Sequence, residues 1–595
     1  MTRRANPYMP PPPNCLAIGG FNPCGLDLRP EQPAVVYLEG SVKLALETGR
    51  TRLLVASVVF ALAFAVIGIR LVELSLTTRG NEPSIALEAT PSKLATGRAD
   101  ILDRNGIVLA TTLPTASLYA NPRQLRDAEE TARQLSAVLP ELPRKALVEK
   151  LSTDRSFVWL KRNLTPVQQY RINRLGIPGL NFQREERRVY PHGDLLSHSV
   201  GFTGLDNDGL AGIERHFDRQ LRGARAPLQL SLDLRIQHLM AEELAGAMKE
   251  FKAIGAAGIV LDAKSGEVLA MVSLPTFDPS APGSAEADTR FNRATLGIYE
   301  MGSVFKIFTT AMALDAGVVT LDDGYDISHP IKVSRFVIRD FKTKKGWHSV
   351  PEIFIYSSNI GTVRMAMDAG TVMQQLFLER LGLLEVPRLE LAEVGKPMSP
   401  SPWREINTMT ISYGHGLAVS PLQLASGVAA IVNGELKPAT LVKRPEGEAV
   451  QGRRVIAEDT SLKMRQLMRL VVTEGTGRKA EAQGYLVGGK TGTADKQKGR
   501  GYARDARIAS FVGAFPMNDP RYVVFAMVDE PKGNKSTFGY ATGGWVAAPV
   551  VRRVVERMGP LLGIGPADTA TEDDGVNRLL IRAKAQAEGR RVASN

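Results

Sequence analysis

Tyr299-Glu300-Met301-Gly302-Ser303-Val304-Phe305-Lys306 opens an apolar run that continues to Ala316 and meets Gly317, and Gly489-Lys490-Thr491-Gly492-Thr493 follows far downstream. The first stretch predicts a helix over Val304–Ala316 with Ser303 at its start and Gly317 closing it. Residues three apart on a helix share a face, with about 5–6 Å between Cβ atoms. The Lys306 amine can therefore reach the Ser303 hydroxyl. A free lysine is protonated at pH 7 and is no base. Burial against Phe305, Ile307 and Phe308, or a second cation nearby, would lower its pKa. The helix start also supplies N–H groups and positive potential where an oxyanion would form. Ser303 is thus a candidate nucleophile and Lys306 its candidate base.

Ser-x-x-Lys alone is unspecific, since ordinary residue usage gives roughly two or three chance matches in a chain this long. Ser-x-Asn, here Ser357-Ser358-Asn359, arises about once or twice by chance, whereas Lys-Thr-Gly-Thr is expected well under about 0.1 times. The signal is the ordered trio in suitable surroundings. Ser303 sits at a helix start, Ser357 in a polar loop after Ile353–Tyr356, and Lys490 on a strand after Tyr485-Leu486-Val487.

Around these motifs, residues 227–565 read as a large α+β core. Gly258–Asp262, a Lys264-Ser265-Gly266 turn and Glu267–Val272 predict one β-hairpin. Phe511–Phe515, a turn over Pro516–Pro520 and Tyr522–Val528 predict another. Met240–Phe251 and Leu422–Val432 read as amphipathic helices, the second closed by Asn433-Gly434. Hairpins around a block of helices imply an antiparallel sheet covered by helices. Residues 75–226 are mixed and loop-rich. They carry a strand running into an Asn-Gly turn at Asp100–Gly106 and end near Gly209–Glu214, with no nucleophile beside a base, which suggests a spacer or docking module.

The trio resembles the active site of the penicillin-binding transpeptidases, a serine β-lactamase-like fold. Further segments resemble their monofunctional class B branch: Gly97–Gly106, Arg188-Val189-Tyr190-Pro191, Gly212-Ile213-Glu214 before Leu221-Arg222-Gly223, Tyr413-Gly414-His415-Gly416, and Pro421–Ala425. The resemblance runs from about 53 to 560 and is nearer the cell-division than the elongation members. It implies that residues 75–226 form an elongated pedestal or dimerisation module and 227–565 the transpeptidase domain. It implies that Ser303 is acylated, Lys306 is its base and Ser357 relays a proton, with Lys490 adding positive potential beside it. Asn359 would hold a substrate amide. Thr491 and Thr493, flanking Gly492, would bind the substrate carboxylate, and the N–H groups of Ser303 and Thr493 would form the oxyanion hole. The implied partners are peptidoglycan stem peptides ending in D-Ala-D-Ala, β-lactams, an FtsW-type glycosyltransferase and other division proteins. Where many relatives have Pro and Thr around the motif serine, this chain has Met301 and Val304, and Ala99 replaces a usual Gly; tuning rather than loss is expected. A bifunctional synthase lacks support, since no glycosyltransferase motif is present. A β-lactamase would need an efficient deacylating base, and a carboxypeptidase differs only in using water as acceptor. An inert sensor or scaffold fits poorly with three intact motifs.

The remainder of the chain sets the compartment. Leu53–Ile69 is uncharged, and with Arg70–Leu74 it approaches the ~20 residues a bilayer requires. A single membrane anchor at 53–74 is expected, with Lys43, Arg50 and Arg52 keeping the N-terminus inside and the catalytic part extracytoplasmic. Residues 1–52, with Met9-Pro10-Pro11-Pro12-Pro13, read as a disordered cytoplasmic tail. It holds both cysteines, Cys15 and Cys24, in a reducing compartment where no disulfide is expected. Residues 566–595 read as a polar tail, helical around Asn577–Ala587, without a core of its own. The net charge of +12 accompanies no basic–aromatic nucleic-acid motif, and the scattered histidines indicate no metal and no cofactor.

Overall fold

The computed structural model describes residues 54–70, 97–223, 226–333, 336–498, 501–567 and 569–593 of the 595-residue chain. The expected tail at 1–52, with Cys15 and Cys24, lies outside them. Residues 54–70 form a helix that is exposed almost throughout. Seventeen helical residues rise about 25 Å, short of the ~30 Å hydrocarbon thickness of a bilayer. Among the described residues no helix is long and apolar enough to cross a membrane; residues 53 and 71–74 of the expected anchor lie outside them.

The first folded part is built on a five-stranded sheet. Its strands are β1 (Ile101–Leu102), β2 (Val108–Ala120), β3 (Val158–Leu164), β4 (Leu180–Val189) and β5 (Leu228–Gln229). The order is β3-β2-β1-β5, with β4 also on β2. The Asn-Gly turn forms where expected. Asp103 Oδ1 accepts the N–H groups of Asn105 and Ile107 at 2.7 and 2.8 Å, and Gly106 takes φ +86°. Helices α1 (Ala128–Val138), α2 (Arg144–Leu151) and α3 (Pro166–Asn173) close a small core of Leu118, Leu135, Leu147, Leu160 and Ile172.

Three separated segments of this part meet at one buried ion cluster. Glu214 accepts Arg98 Nε at 2.5 Å and Arg188 Nε at 2.6 Å, and Arg98 also reaches Asp218 at 2.7 Å. Arg188 further donates to the Arg98 carbonyl at 3.2 Å. The cluster fixes the entry of the chain, the end of β4 and the Gly212 turn relative to one another. Ala99 is buried beside it, its N–H bonded to the Leu221 carbonyl at 2.8 Å.

The second part is a three-layer sandwich. β6 (Gly255–Asp262), β7 (Val268–Leu274), β8 (Gly488–Lys498), β9 (Gly501–Phe515) and β10 (Tyr522–Asp529) form an antiparallel sheet in the order β8-β9-β10-β6-β7. Both expected hairpins are present, with β6 on β7 and β9 on β10. β6, β7 and β10 are buried along their whole length because both faces of the sheet are covered. Val260, Val272 and Val524 pack under α4 (Leu234–Phe251) and the late helix α10 (Gly543–Leu561), while Ile259, Leu261, Val523 and Phe525 pack under α8 (Pro421–Asn433) and the helices that carry the motifs.

Two expectations about extent change. α4 begins six residues before Met240, at Leu234, capped by the Asp233 carboxylate, which accepts the Arg235 N–H. Gln237 breaks the apolar pattern there, yet it is buried and bonded both ways to the main chain of Met271 on β7. The C-terminal segment is also no coreless tail. Thr569–Ala593 is one helix, and Leu580, Ala583 and Ala587 are buried.

Glu214→Ala leaves two guanidinium groups buried without their shared carboxylate. It is expected to destabilise the first part by roughly 3–5 kcal/mol, read as a lower thermal midpoint; an unchanged midpoint would refute the structural weight given to the cluster.

Candidate active site

Ser303 lies in a tight 3-10 turn, Gly302–Phe305, that leads into α5 (Lys306–Asp315), so the expected helix starts as a narrower coil. The reason is backbone crowding. Gly302 takes φ +55° and donates its N–H to the Gly414 carbonyl at 3.2 Å, and a Cβ on it would lie 2.5 Å from the Thr493 carbonyl. The turn is thus pressed between the Gly414 loop and β8. Met301 and Val304 are fully buried, and a Cβ on Gly492 would meet both the Met301 carbonyl and Val304 Cγ2. α5 is buried on every side, and so it carries Lys306 into the interior.

The expected polar loop at Ser357 is a corner between two helices. α6 (Val350–Tyr356) starts on a Ser349–Glu352 capping box and ends at Ser357 in the left-handed conformation, φ 62° and ψ 44°. That conformation costs a non-glycine residue roughly 1–2 kcal/mol. It turns both the carbonyl and the hydroxyl of Ser357 toward Lys306. Ser358 caps α7 (Asn359–Ala369), accepting the Gly361 N–H at 3.1 Å. Asp340 completes the cap: its carboxylate accepts Ser358 Oγ at 2.7 Å and the N–H groups of Asn359 and Ile360 at 2.5 and 3.0 Å. Anions at a helix start are favoured by the open N–H groups and the helix dipole.

Two lysines converge on this corner. Lys306 Nζ lies 3.1 Å from Ser357 Oγ, 2.6 Å from its carbonyl and 2.7 Å from Asn359 Oδ1. Lys490 Nζ, from β8, lies 3.0 Å from the same Ser357 Oγ. Both side chains are 0% exposed. Burial, reinforced by the Lys490 charge and opposed by Asp340, holds Lys306 well below the usual lysine range. Burial brings Lys490 down to about 7. One proton shared by the pair satisfies every contact. A neutral Lys306 donates to the two carbonyl-type oxygens and accepts from the Ser357 hydroxyl, while a protonated Lys490 donates to that hydroxyl. The pair titrates as a unit.

Of the candidate residues, Lys306, Ser357, Asn359 and Lys490 touch directly. Ser303 joins through its backbone turn, and the Lys306 contacts go to Ser357 and Asn359. Thr491 Oγ1 bonds to Thr476 Oγ1 at 2.8 Å, and Thr493 Oγ1 accepts the Gly543 N–H at 3.1 Å, which fixes both threonines along β8. Two residues escaped the sequence reading. Asp340 falls in no motif. Glu300 lies three residues before Ser303, and its buried carboxylate accepts from the Gly416 N–H at 2.8 Å, Gln497 at 3.0 Å and Tyr502 at 3.2 Å, with His415 Nδ1 at 3.2 Å. Burial works to raise that carboxyl, but the hydrogen bonds from His415, Gly416 and Tyr502 outweigh it and hold it below its ordinary value. That contact gives His415 a structural role beside the motif serine's turn.

Comparison with known proteins matches residues 256–556 to the penicillin binding protein transpeptidase domain and residues 93–235 to the penicillin-binding protein dimerisation domain. The chain belongs to the penicillin-binding transpeptidases. This transpeptidase is 41% identical over 482 residues to the probable peptidoglycan D,D-transpeptidase FtsI of Caulobacter vibrioides, covering 78% of this chain and 82% of that one. It is 28% identical over 517 residues to the peptidoglycan D,D-transpeptidase FtsI of Escherichia coli, covering 81% and 86%. Its fold resembles penicillin binding protein 3 from Mycobacterium tuberculosis, solved with aztreonam, at a TM-score of 0.63 and 24% identity over 79% of this chain and 97% of that one.

Asp340 raises the pKa of Lys306, so Asp340→Asn lowers it further. The acid limb of the pH–rate profile for acylation by a penicillin is expected to move to lower pH. A limb that stays put or moves upward would show that Asp340 does not act on the lysine pair.

Proposed function

We propose that this protein cross-links peptidoglycan at the division site through an acyl-enzyme on Ser303. The observation that carries the reading is the meeting of two buried lysines on one serine hydroxyl, beside a helix-start serine. In the first half-reaction Ser303 Oγ attacks the carbonyl between the two terminal D-Ala residues of a stem peptide, and its proton passes to Lys306. The C–N bond then breaks, and the departing D-Ala amine takes a proton through Ser357, which Lys490 and Lys306 flank. In the second, an amine from a neighbouring stem attacks the ester, loses a proton along the same path and releases Ser303. This is ping-pong acyl transfer. Asn359, Thr491, Gly492 and Thr493 line the strand and corner that would hold the substrate backbone and terminal carboxylate, and the N–H groups of Ser303 and Thr493 would face the oxyanion. A β-lactam enters as a substrate whose leaving group stays attached.

The division role is supported by the FtsI relatives. The FtsI relatives and the uncharged sequence run Leu53–Ile69, flanked by Lys43, Arg50 and Arg52, support a single-pass anchor at 53–74 with an inside N-terminus and an extracytoplasmic catalytic part. An FtsW-type glycosyltransferase would supply nascent glycan, contacted through the anchor and the first module.

Fluorescent penicillin is expected to label the protein, Ser303→Ala to abolish labelling, and Lys306→Ala to slow it by roughly 10²–10⁴ with the fold retained; a labelled Ser303→Ala variant would remove the nucleophile. The purified protein, given nascent glycan and a partner polymerase, is expected to yield cross-linked stem dimers, and a tagged copy to gather at midcell. Uniform lateral fluorescence would instead favour an elongation role.

A further inference from the structure

The match to the transpeptidase family ends at residue 556, yet the chain continues into the helix Thr569–Ala593, here α11. Val576, Leu579, Leu580, Ala583 and Ala587 recur at helical spacing. Of these, Leu580 is packed with Ile355 and Leu470, with Tyr356, Val576 and Leu579 around them. Ile355 and Tyr356 are the last two residues of α6, directly before Ser357. α11 therefore bears on the rear of the corner that presents the Ser357 hydroxyl.

A second contact leads to the other lysine. Arg469, on α9 (Glu458–Thr473), is buried and takes both carboxylate oxygens of Asp573 at 2.8 and 2.7 Å. It also binds Glu481 at 2.6 and 3.0 Å and donates to the Val487 carbonyl at 2.8 Å. Val487 precedes β8, three residues before Lys490. Asp573 thus orients a guanidinium that grips the start of the Lys490 strand. Further along α11, Arg582 pairs with Asp322, and Arg590 lies over the Trp347 ring at 4.6 Å. Trp347 belongs to the short strand that runs into the Ser349 cap of α6.

We propose that α11 is a clasp that positions Ser357 and Lys490 against each other, with Leu580 setting the end of α6 and the Asp573–Arg469 pair setting the start of β8. The two supports come from segments far apart in sequence, and α11 touches both. The hydrogen bonds they control, 3.0 and 3.1 Å from Ser357 Oγ to the two amines, tolerate little displacement. A misplacement of ~1 Å in a reacting constellation can slow a reaction by roughly 10²-fold. The α11 side chains named here contact α6, α9 and the residues before them rather than the reacting atoms; they act through others. The inference rests on the reading of Ser303 as the acylated serine.

The test uses the full chain carrying Leu580→Asp, with Leu580→Met as the conservative control and Asp573→Asn as a milder probe of the second support. The readouts are the second-order rate of acylation by fluorescent penicillin, its pH profile and the thermal midpoint. Leu580→Asp is expected to acylate roughly tenfold or more slowly at a temperature where it is folded, with a displaced acid limb, while Leu580→Met stays near wild type. If Leu580→Asp does not fold, Asp573→Asn carries the test, with an expected slowing of roughly threefold or more and a displaced limb. Variants with a lower midpoint but wild-type acylation rate and pH profile would make α11 a stabilising cap only and overturn the clasp. Failure of the wild-type protein itself to label would instead overturn the reading of Ser303.

Discussion

Two fully buried lysine amines sharing one serine hydroxyl are the constraint around which the rest of the transpeptidase domain is arranged. Two buried ammonium groups about one small side chain would repel and would each lose hydration worth several kcal/mol. The arrangement is tolerable when only one of the two is charged and every remaining donor has an acceptor. The Ser357 carbonyl, its hydroxyl and Asn359 Oδ1 meet that condition for Lys306. They do so because α6 stops at a left-handed serine and α7 restarts at once, so that one corner offers Lys306 two carbonyl-type acceptors and a hydroxyl. Asp340 holds the corner from outside and contributes a negative charge that keeps the Lys306 pKa from falling further.

Bringing these groups together requires that backbones touch. The turn before α5, the Gly414 loop and β8 approach so closely that Cβ atoms on Gly302, Gly414, Gly492 or Gly543 would lie within 2.6 Å of neighbouring backbone atoms. Side chains are excluded there: Gly492 of β8 leaves the space that Val304 Cγ2 fills, and both Met301 and Val304 are fully buried. The carboxylate of Glu300 then ties the same three segments from the far side, using the Gly416 N–H and two side chains of the β8–β9 hairpin.

Much of this was legible in the sequence, for identifiable reasons. The motif residues carry their chemistry locally: a serine three before a lysine, a Lys-Thr-Gly-Thr on a strand, and a glycine ending a helix. The hairpins were legible because β6, β7, β9 and β10 are apolar runs bounded by turns. What escaped depends on distant partners. Gln237 reads as a break in a helix until β7 supplies its hydrogen bonds. Asp340 looks like any loop acid until α7 places open N–H groups beside it. Residues 569–593 look like a solvated tail because charged residues are scattered along them and the apolar stripe is narrow; only Ile355 and Leu470, more than a hundred residues earlier, turn the stripe at Leu580 into a core contact.

A pair that shares one proton suits a reaction with two mirrored halves. In the first half the site must take a proton from a serine and deliver one to a departing amine; in the second it must take one from an incoming amine and return one to the serine. A lysine that takes the serine proton is reset when a proton is delivered to the departing amine, so its reach to that amine matters as much as its reach to the serine. On the proposed mechanism, with the Lys490 pKa at about 7 on one side of Ser357 and that of Lys306 depressed on the other, a proton would be taken up at one amine and given out through Ser357 without the total changing. The site would then end each half-reaction in the state in which it began. That symmetry depends on both amines keeping their distance to Ser357 Oγ, so elements that hold α6 and β8 in place bear on the rate even where they lie far from the serine.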